Sequence, residues 1–181
     1  GQARLPGMEE STKKSFERAY NKHLERISAS PTESTYTGAI AGIVNMAYSC
    51  NATHQYKEAL YWCDCYEELV HKYERLYPAD VDYIDKQLAR CSIYRATALV
   101  SLGQSQESYL AYLDFRNTKF SKSTEGIYDA GEYLIEAKQW KDAAVCFQRL
   151  DELVNKYRME FSIENLETYY LKTYEANLKA G

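Results

Sequence analysis

Proline and glycine are scarce in this chain: three prolines and eight glycines in 181 residues, most of them at ends of periodic segments. Long helices therefore meet few breakers. Long runs of strict polar/apolar alternation are also missing, which argues against strands. No stretch of 18 consecutive apolar residues exists, so no membrane insertion is expected within these residues. The net charge is −4, with acidic and basic residues interspersed. Phosphate binding needs a concentrated basic face, so nucleic acid is excluded as a default partner.

Catalytic and metal-binding signatures are absent as well. There is no nucleophile elbow and no glycine-rich phosphate loop. Neighbouring carboxylates such as Glu67-Glu68 and Asp151-Glu152 would point about 100° apart on a helix, so neither pair could flank one substrate bond. His23, His54 and His71 do not combine with the cysteines at ligand spacing. No catalytic residue, metal or cofactor is expected, and the chain reads as a non-enzyme. Of the five cysteines, Cys63 and Cys65 stand one residue apart, so on a helix their side chains diverge. Cys50, Cys63, Cys91 and Cys146 fall in apolar helical patterns and read as small core hydrophobes. An odd cysteine count leans towards a reducing compartment.

What the chain does have is tyrosine, 18 of them, at helical spacings. The pattern predicts an all-α domain of about eight helices over residues 9–181, preceded by a disordered segment, 1–8. Phe16, Tyr20, Leu24 and Ile27 form one face of a first helix, Glu9 to Ser28. Ser30-Pro31-Thr32-Glu33 predicts a capping box with proline in the first helical position, opening a helix to about Ala52. A third helix is predicted from Tyr56 to Leu76. Pro78 and Asp80 mark a break and a new N-cap, and Gly103 supplies the left-handed turn after the fourth helix, at Leu102. Helices follow from Ser105 to Thr118, from a cap at Ser121 or Ser123, from Trp140 to Tyr157, and from a cap at Ser162 to Lys179.

Three of these helix pairs share a pattern. Taking Tyr56, Ser105 and Trp140 as anchors opening the second helix of each pair, small residues follow three positions on: Ala59, Ser108 and Ala143. Bulkier ones follow at seven (Cys63, Tyr112, Phe147) and ten (Tyr66, Phe115, Leu150). Ten and nine positions before the anchors stand Met46-Ala47, Arg95-Ala96 and Ala130-Gly131. The anchors are 49 (105 − 56) and 35 (140 − 105) positions apart, the second close to the ~34-residue period of one helical-hairpin repeat class. The longer first spacing predicts extended helices around Pro78. Small residues facing large ones let two antiparallel helices approach closely, in a hairpin that must stack on a neighbour.

Across residues 36–181 the chain resembles the tetratricopeptide-repeat family. The 123–157 copy matches best, with Gly131, Leu134, Ala143 and Phe147 on the family's positions. The 88–121 copy has Gly103 at the turn glycine, and the 40–76 copy has none. The resemblance implies a right-handed superhelical stack of antiparallel hairpins, a non-catalytic scaffold that binds a protein or peptide segment on its concave face. Carried over position by position, that face takes Tyr48 and Asn51 from the first copy, Arg90, Thr97 and Ser101 from the second, and Tyr128, Glu132 and Glu136 from the third. The set lacks the basic and asparagine cluster with which chaperone-binding members clamp a terminal carboxylate. Among the tyrosines, Tyr48, Tyr61, Tyr94, Tyr109, Tyr128 and Tyr133 are the candidates for a groove. An oligomer is compatible with all of this.

The phrases YRATALVSLGQSQESYLAYLDF and YYLKTYEANLKAG look like the extracytoplasmic sensor regions of bacterial two-component histidine kinases. That likeness implies an interaction region of a membrane-anchored signalling protein outside the cytoplasm. The alternative is a cytoplasmic peptide-binding regulator or adaptor. Leu178-Lys179-Ala180-Gly181 reads as the turn of a further hairpin, so the chain is expected to be a piece of a longer protein, with Gly1 a cloning remnant.

Overall fold

The computed structural model describes residues 6–157 and 163–181. Eight α-helices run through them, with no strand among the described residues: α1 Pro6–Ala29, α2 Glu33–Ala52, α3 Tyr56–Lys72, α4 Val81–Ser101, α5 Ser105–Arg116, α6 Thr124–Glu136, α7 Trp140–Asp151 and α8 Ile163–Ala180. Short 3-10 turns at Glu74–Leu76 and Phe120–Lys122 and a π-helical turn at Glu152–Lys156 join or extend them. Consecutive helices pack pairwise except α5 and α6, and α2, α4, α6 and α8 also touch in succession. The even-numbered helices thus form one layer, with α3, α5 and α7 behind it.

Local chemistry sets the boundaries. Asp80 caps α4 by accepting from the N–H groups of Asp82 and Tyr83, and Ser123 caps α6 through Gly126 N–H at 3.0 Å. The capping box of α2 sits two residues later than expected. Thr32, not Ser30, is the N-cap, and Thr35 closes the box. Pro31 therefore precedes the cap instead of opening the helix. A threonine hydroxyl takes the closing position: Thr35 Oγ1 accepts from Thr32 N–H at 3.1 Å and donates to Ser30 O at 2.6 Å. Helix α1 starts at Pro6, inside the segment expected to be disordered; residues 1–5 and the expected cap Ser162 lie outside the described residues.

The three hairpins α2/α3, α4/α5 and α6/α7 turn in the same way. His54, Gly103 and Lys138 take positive φ (60°, 82° and 56°). Each is followed by a glutamine, Gln55, Gln104 and Gln139, with φ near −90° and ψ 66–70°. The glutamine N–H reaches back five residues, to Cys50 O, Leu99 O and Leu134 O at 2.8–2.9 Å, the closing bond of a Schellman turn. Only one copy uses glycine. His54 and Lys138 hold the same conformation with a Cβ, at a cost of about 1 kcal/mol each.

The small-against-large rule is visible in the packing. Ala59, Ser108 and Ala143 are fully buried, as are Cys63, Phe115, Phe147 and Leu150. A Cβ on Gly131 would lie 2.6 Å from the Phe147 ring, so glycine is what admits the ring. Ser108, in place of alanine, donates to Ala96 O at 2.8 Å, leaving Tyr133 Oη to donate to Ser108 Oγ at 3.0 Å. At the N-terminal end, α1 lays Phe16 and Tyr20 edge-on against Trp62 of α3. The 49-residue spacing is explained by the 17-residue α3 and 21-residue α4, against 12 and 13 residues in α5 and α6. Cys50, Cys63, Cys65 and Cys91 are buried free thiols and Cys146 is half-buried.

Candidate functional site

The layer of even-numbered helices carries a groove. One hollow of about 270 Å³ is walled by Tyr48 and Asn51 from α2, Tyr94 and Thr97 from α4, Asp129, Glu132 and Glu136 from α6, and Lys172 from α8. A second, of about 320 Å³, shares Tyr48, Tyr94, Asp129 and Glu132 and adds Arg90, Glu125 and Tyr128. Helical periodicity explains the lining. Arg90, Tyr94 and Thr97 fall at i, i+4 and i+7 on α4, and Glu125, Asp129, Glu132 and Glu136 repeat on one face of α6.

Side chains lock the helices together beneath the groove. Asn51 Nδ2 donates to Tyr94 O at 2.8 Å, tying α2 to α4, while its Oδ1 is enclosed without a hydrogen-bond partner. Tyr48 and Tyr94 rings lie 5.5 Å apart. Arg90 stands 5.7 Å over the Tyr94 ring and donates from Nε to Tyr94 Oη at 3.1 Å and from Nη2 to Asn45 Oδ1 at 3.4 Å. Lys172 pairs with Glu132 and lies 5.9 Å from the Tyr128 ring. Lys86 pairs with Glu125 at 2.9 Å.

Electrostatics single out Asp129. Burial, and then the neighbouring Glu132 carboxylate, push its pKa up to about 7, against the opposing pull of Arg90 and Lys86. No hydrogen bond reaches its carboxyl from the described residues. Burial likewise raises the Tyr94 and Tyr128 hydroxyls, with Asp129 adding to the first and Glu132 to the second. Glu136 is exposed and free of ion pairs among the described residues. The groove thus combines phenol rings, paired charges and two carboxyl groups without a cationic hydrogen-bond partner.

Of the residues expected on the concave face, Tyr48, Asn51, Arg90, Thr97, Tyr128, Glu132 and Glu136 meet in this groove. Ser101 does not. It is the last residue of α4, a turn beyond Thr97, and its Oγ is enclosed without a partner. Of the six tyrosines, Tyr48, Tyr94 and Tyr128 line it, whereas Tyr61 and Tyr109 stand exposed on α3 and α5, in the layer behind. Tyr133 is buried between α5 and α6, stacked 4.5 Å from Tyr112. Glu125, Asp129 and Lys172 line the groove but are not in the expected set. Asp129 could have been found one turn before Glu132, but Lys172 enters only because α8 extends the layer by a fourth helix.

Among the described residues no helix is long and apolar enough to cross a membrane, and no group of three or more histidine, cysteine or acidic side chains could hold a metal ion. No protein-family model, curated protein or solved structure matches the chain.

Proposed function

We propose that this chain is a non-catalytic scaffold of the tetratricopeptide-repeat type, a right-handed stack of hairpins that holds a peptide or protein segment along the groove of α2, α4, α6 and α8. The observation that carries this reading is the common lining of the two hollows by one layer of helices, with a turn of the same geometry behind three of the four. Pre-built walls need little rearrangement to bind, which limits the entropic cost. Tyr48, Tyr94 and Tyr128 offer rigid apolar area with polar tips, the side-chain type that anchors peptide segments.

The charges left over define the segment. Lys172 and Lys86 are consumed by Glu132 and Glu125, and Arg90 already pulls on Asp129, which leaves Glu136 to meet a basic group. A segment with an apolar anchor next to a lysine or arginine fits best. Catalysis is not part of the proposal, because acid–base or nucleophilic chemistry needs groups in mutual hydrogen-bond reach and no hydroxyl, thiol or imidazole is hydrogen-bonded to Asp129 among the described residues.

A random peptide library displayed on phage and selected against the immobilised chain tests this. Selected peptides are expected to carry a basic residue beside an aromatic or aliphatic one. Calorimetry should then show at least tenfold weaker binding to the Tyr48→Ala and Glu136→Lys variants, with unchanged melting temperatures. Selected peptides that bind both variants as tightly as the parent chain would overturn the assignment of the groove.

A further inference from the structure

We propose a second docking site: the cleft between α5 and α7, on the far side of α6 from the groove, which takes the bulky apolar side chain of an acidic amphipathic peptide segment. The cleft exists because α5 and α6 are held apart. Asp85 of α4 accepts from Lys119 and Phe120 N–H groups at 3.0 and 2.8 Å, fixing the turn Phe120–Lys122 between the two helices. Gly126 lets the first turn of α6 press on that turn; a Cβ there would stand 2.0 Å from Phe120 O. Tyr133, on Tyr112, fills the inner part of the gap. The outer part is a cavity of about 540 Å³, within the range of about 300–1,000 Å³ typical of ligand pockets.

Its floor is apolar, made by Ile127 and Ala130 of α6 and Val145 of α7, with Leu153 of the π-helical turn beside them. Val145 is 64% exposed, whereas its sequence neighbours Ala144 and Cys146 are half-buried. Its rim is cationic. Arg116, Lys122 and Arg149 surround the opening. Arg149 is paired with Glu152 at 2.8 Å, but among the described residues Arg116 donates only to Tyr112 Oη, at 3.3 Å, and Lys122 has no carboxylate partner. The apolar surface continues along α5, where Tyr109 and Leu113 are exposed on the face that also bears Arg116. Two helix ridges, each with an arginine in its last turn, therefore flank an apolar slot. A helical segment laying its apolar edge between them and its carboxylates on the rim satisfies both. Charge complementarity selects acidic over basic segments. Ile127 and Ala130 lie about 180° round α6 from Glu132 and Glu136, so the two sites can be filled independently.

The test uses two fluorescein-labelled helical peptides of about 18 residues, one of leucine, phenylalanine and glutamate and one with lysine for each glutamate. Anisotropy titrations are expected to show the glutamate peptide binding at least tenfold tighter. The double variant Arg116→Glu/Lys122→Glu should weaken it at least tenfold, and Val145→Trp, which fills the slot from an exposed position, should do the same. Glu136→Lys in the groove should leave it unchanged. Cys146 lines the cleft and is the one cysteine of the five that is not buried, so saturating peptide should slow its alkylation by iodoacetamide. Equal binding of the two peptides, indifference to the cleft variants, sensitivity to Glu136→Lys, or an unchanged alkylation rate would each overturn the proposal. Melting curves of the variants separate lost binding from lost folding.

Discussion

The two sides of α6 are built on opposite plans. The side facing α4 and α8 bears Glu125, Asp129, Glu132 and Glu136, with Lys86, Arg90 and Lys172 brought in from neighbouring helices. The side facing the α5–α7 cleft bears Ile127 and Ala130, with Arg116 and Lys122 left without carboxylate partners among the described residues. One side has its charges largely met inside the molecule and tyrosine rings between them. The other has bare apolar floor and unmet cations. Surfaces whose charges are already paired discriminate through shape and a few residual groups, whereas unpaired charge steers a partner of opposite sign over distance. Between the two sides runs the contact that makes α6 a common wall, Gly131 against Phe147.

The largest effect should come from that common wall. Phe147 is fully buried and touches Gly131, Tyr128 and Tyr169. Phe147→Ala is expected to cost about 3–5 kcal/mol in urea unfolding and to weaken both surfaces together. A loss under about 1 kcal/mol would mean that α6 does not depend on this ring. Gly131→Leu, driving a side chain into the same ring, should cost about 1–3 kcal/mol or more by overpacking.

Next is the groove side, through pH. With the Asp129 pKa at about 7 when folded and 3.8 as its ordinary value, the folded state binds the proton more tightly. Its contribution is fully present below about pH 4 and is lost as pH rises to about 7; the whole span is worth up to about 4 kcal/mol. Compared with the parent, Asp129→Asn should lose that part of the slope between pH 4 and 7 and be the more stable chain above pH 7. Parallel stability curves for the two proteins across this range would contradict the raised pKa.

A smaller effect concerns the cleft side. Tyr133→Phe removes the hydroxyl that meets Ser108 across the α5–α6 gap and leaves Ser108 its bond to Ala96 O. The expected loss is about 0.5–1.5 kcal/mol, with glutamate-peptide binding in the cleft altered and groove binding untouched. The smallest effects lie in the turns. Lys138→Gly should stabilise by up to about 1 kcal/mol by relieving a positive φ, and Gly103→Ala should destabilise by a similar amount. Equal effects of opposite expectation, such as both destabilising, would show that the turns are not equivalent.

The hairpins were legible in the sequence because their packing rests on residue size at fixed helical offsets. Ala59, Ser108 and Ala143 could be aligned from the chain alone, and all three are fully buried. The turn equivalence was not, because two of three copies place histidine and lysine where the pattern calls for glycine; the recurring glutamine one residue later, Gln55, Gln104 and Gln139, was the readable signal. Helix ends were less legible still. Thr32 wins the cap from Ser30 through hydrogen bonds that depend on how the preceding loop turns, which periodicity does not encode. In the groove, residues on one helix face could be grouped, but Lys172 depends on where α8 docks. The cleft was invisible, since it arises from a turn spacing α5 from α6 and not from any run of residues.

Backbone amide chemical-shift mapping with a display-selected peptide tests the central claim most directly. If α2, α4, α6 and α8 form the binding face, the largest shifts at saturation fall on Tyr48, Asn51, Thr97, Glu132 and Glu136, with α3, α5 and α7 little changed. Shifts concentrated on the odd-numbered helices, with the groove residues unmoved, would contradict it.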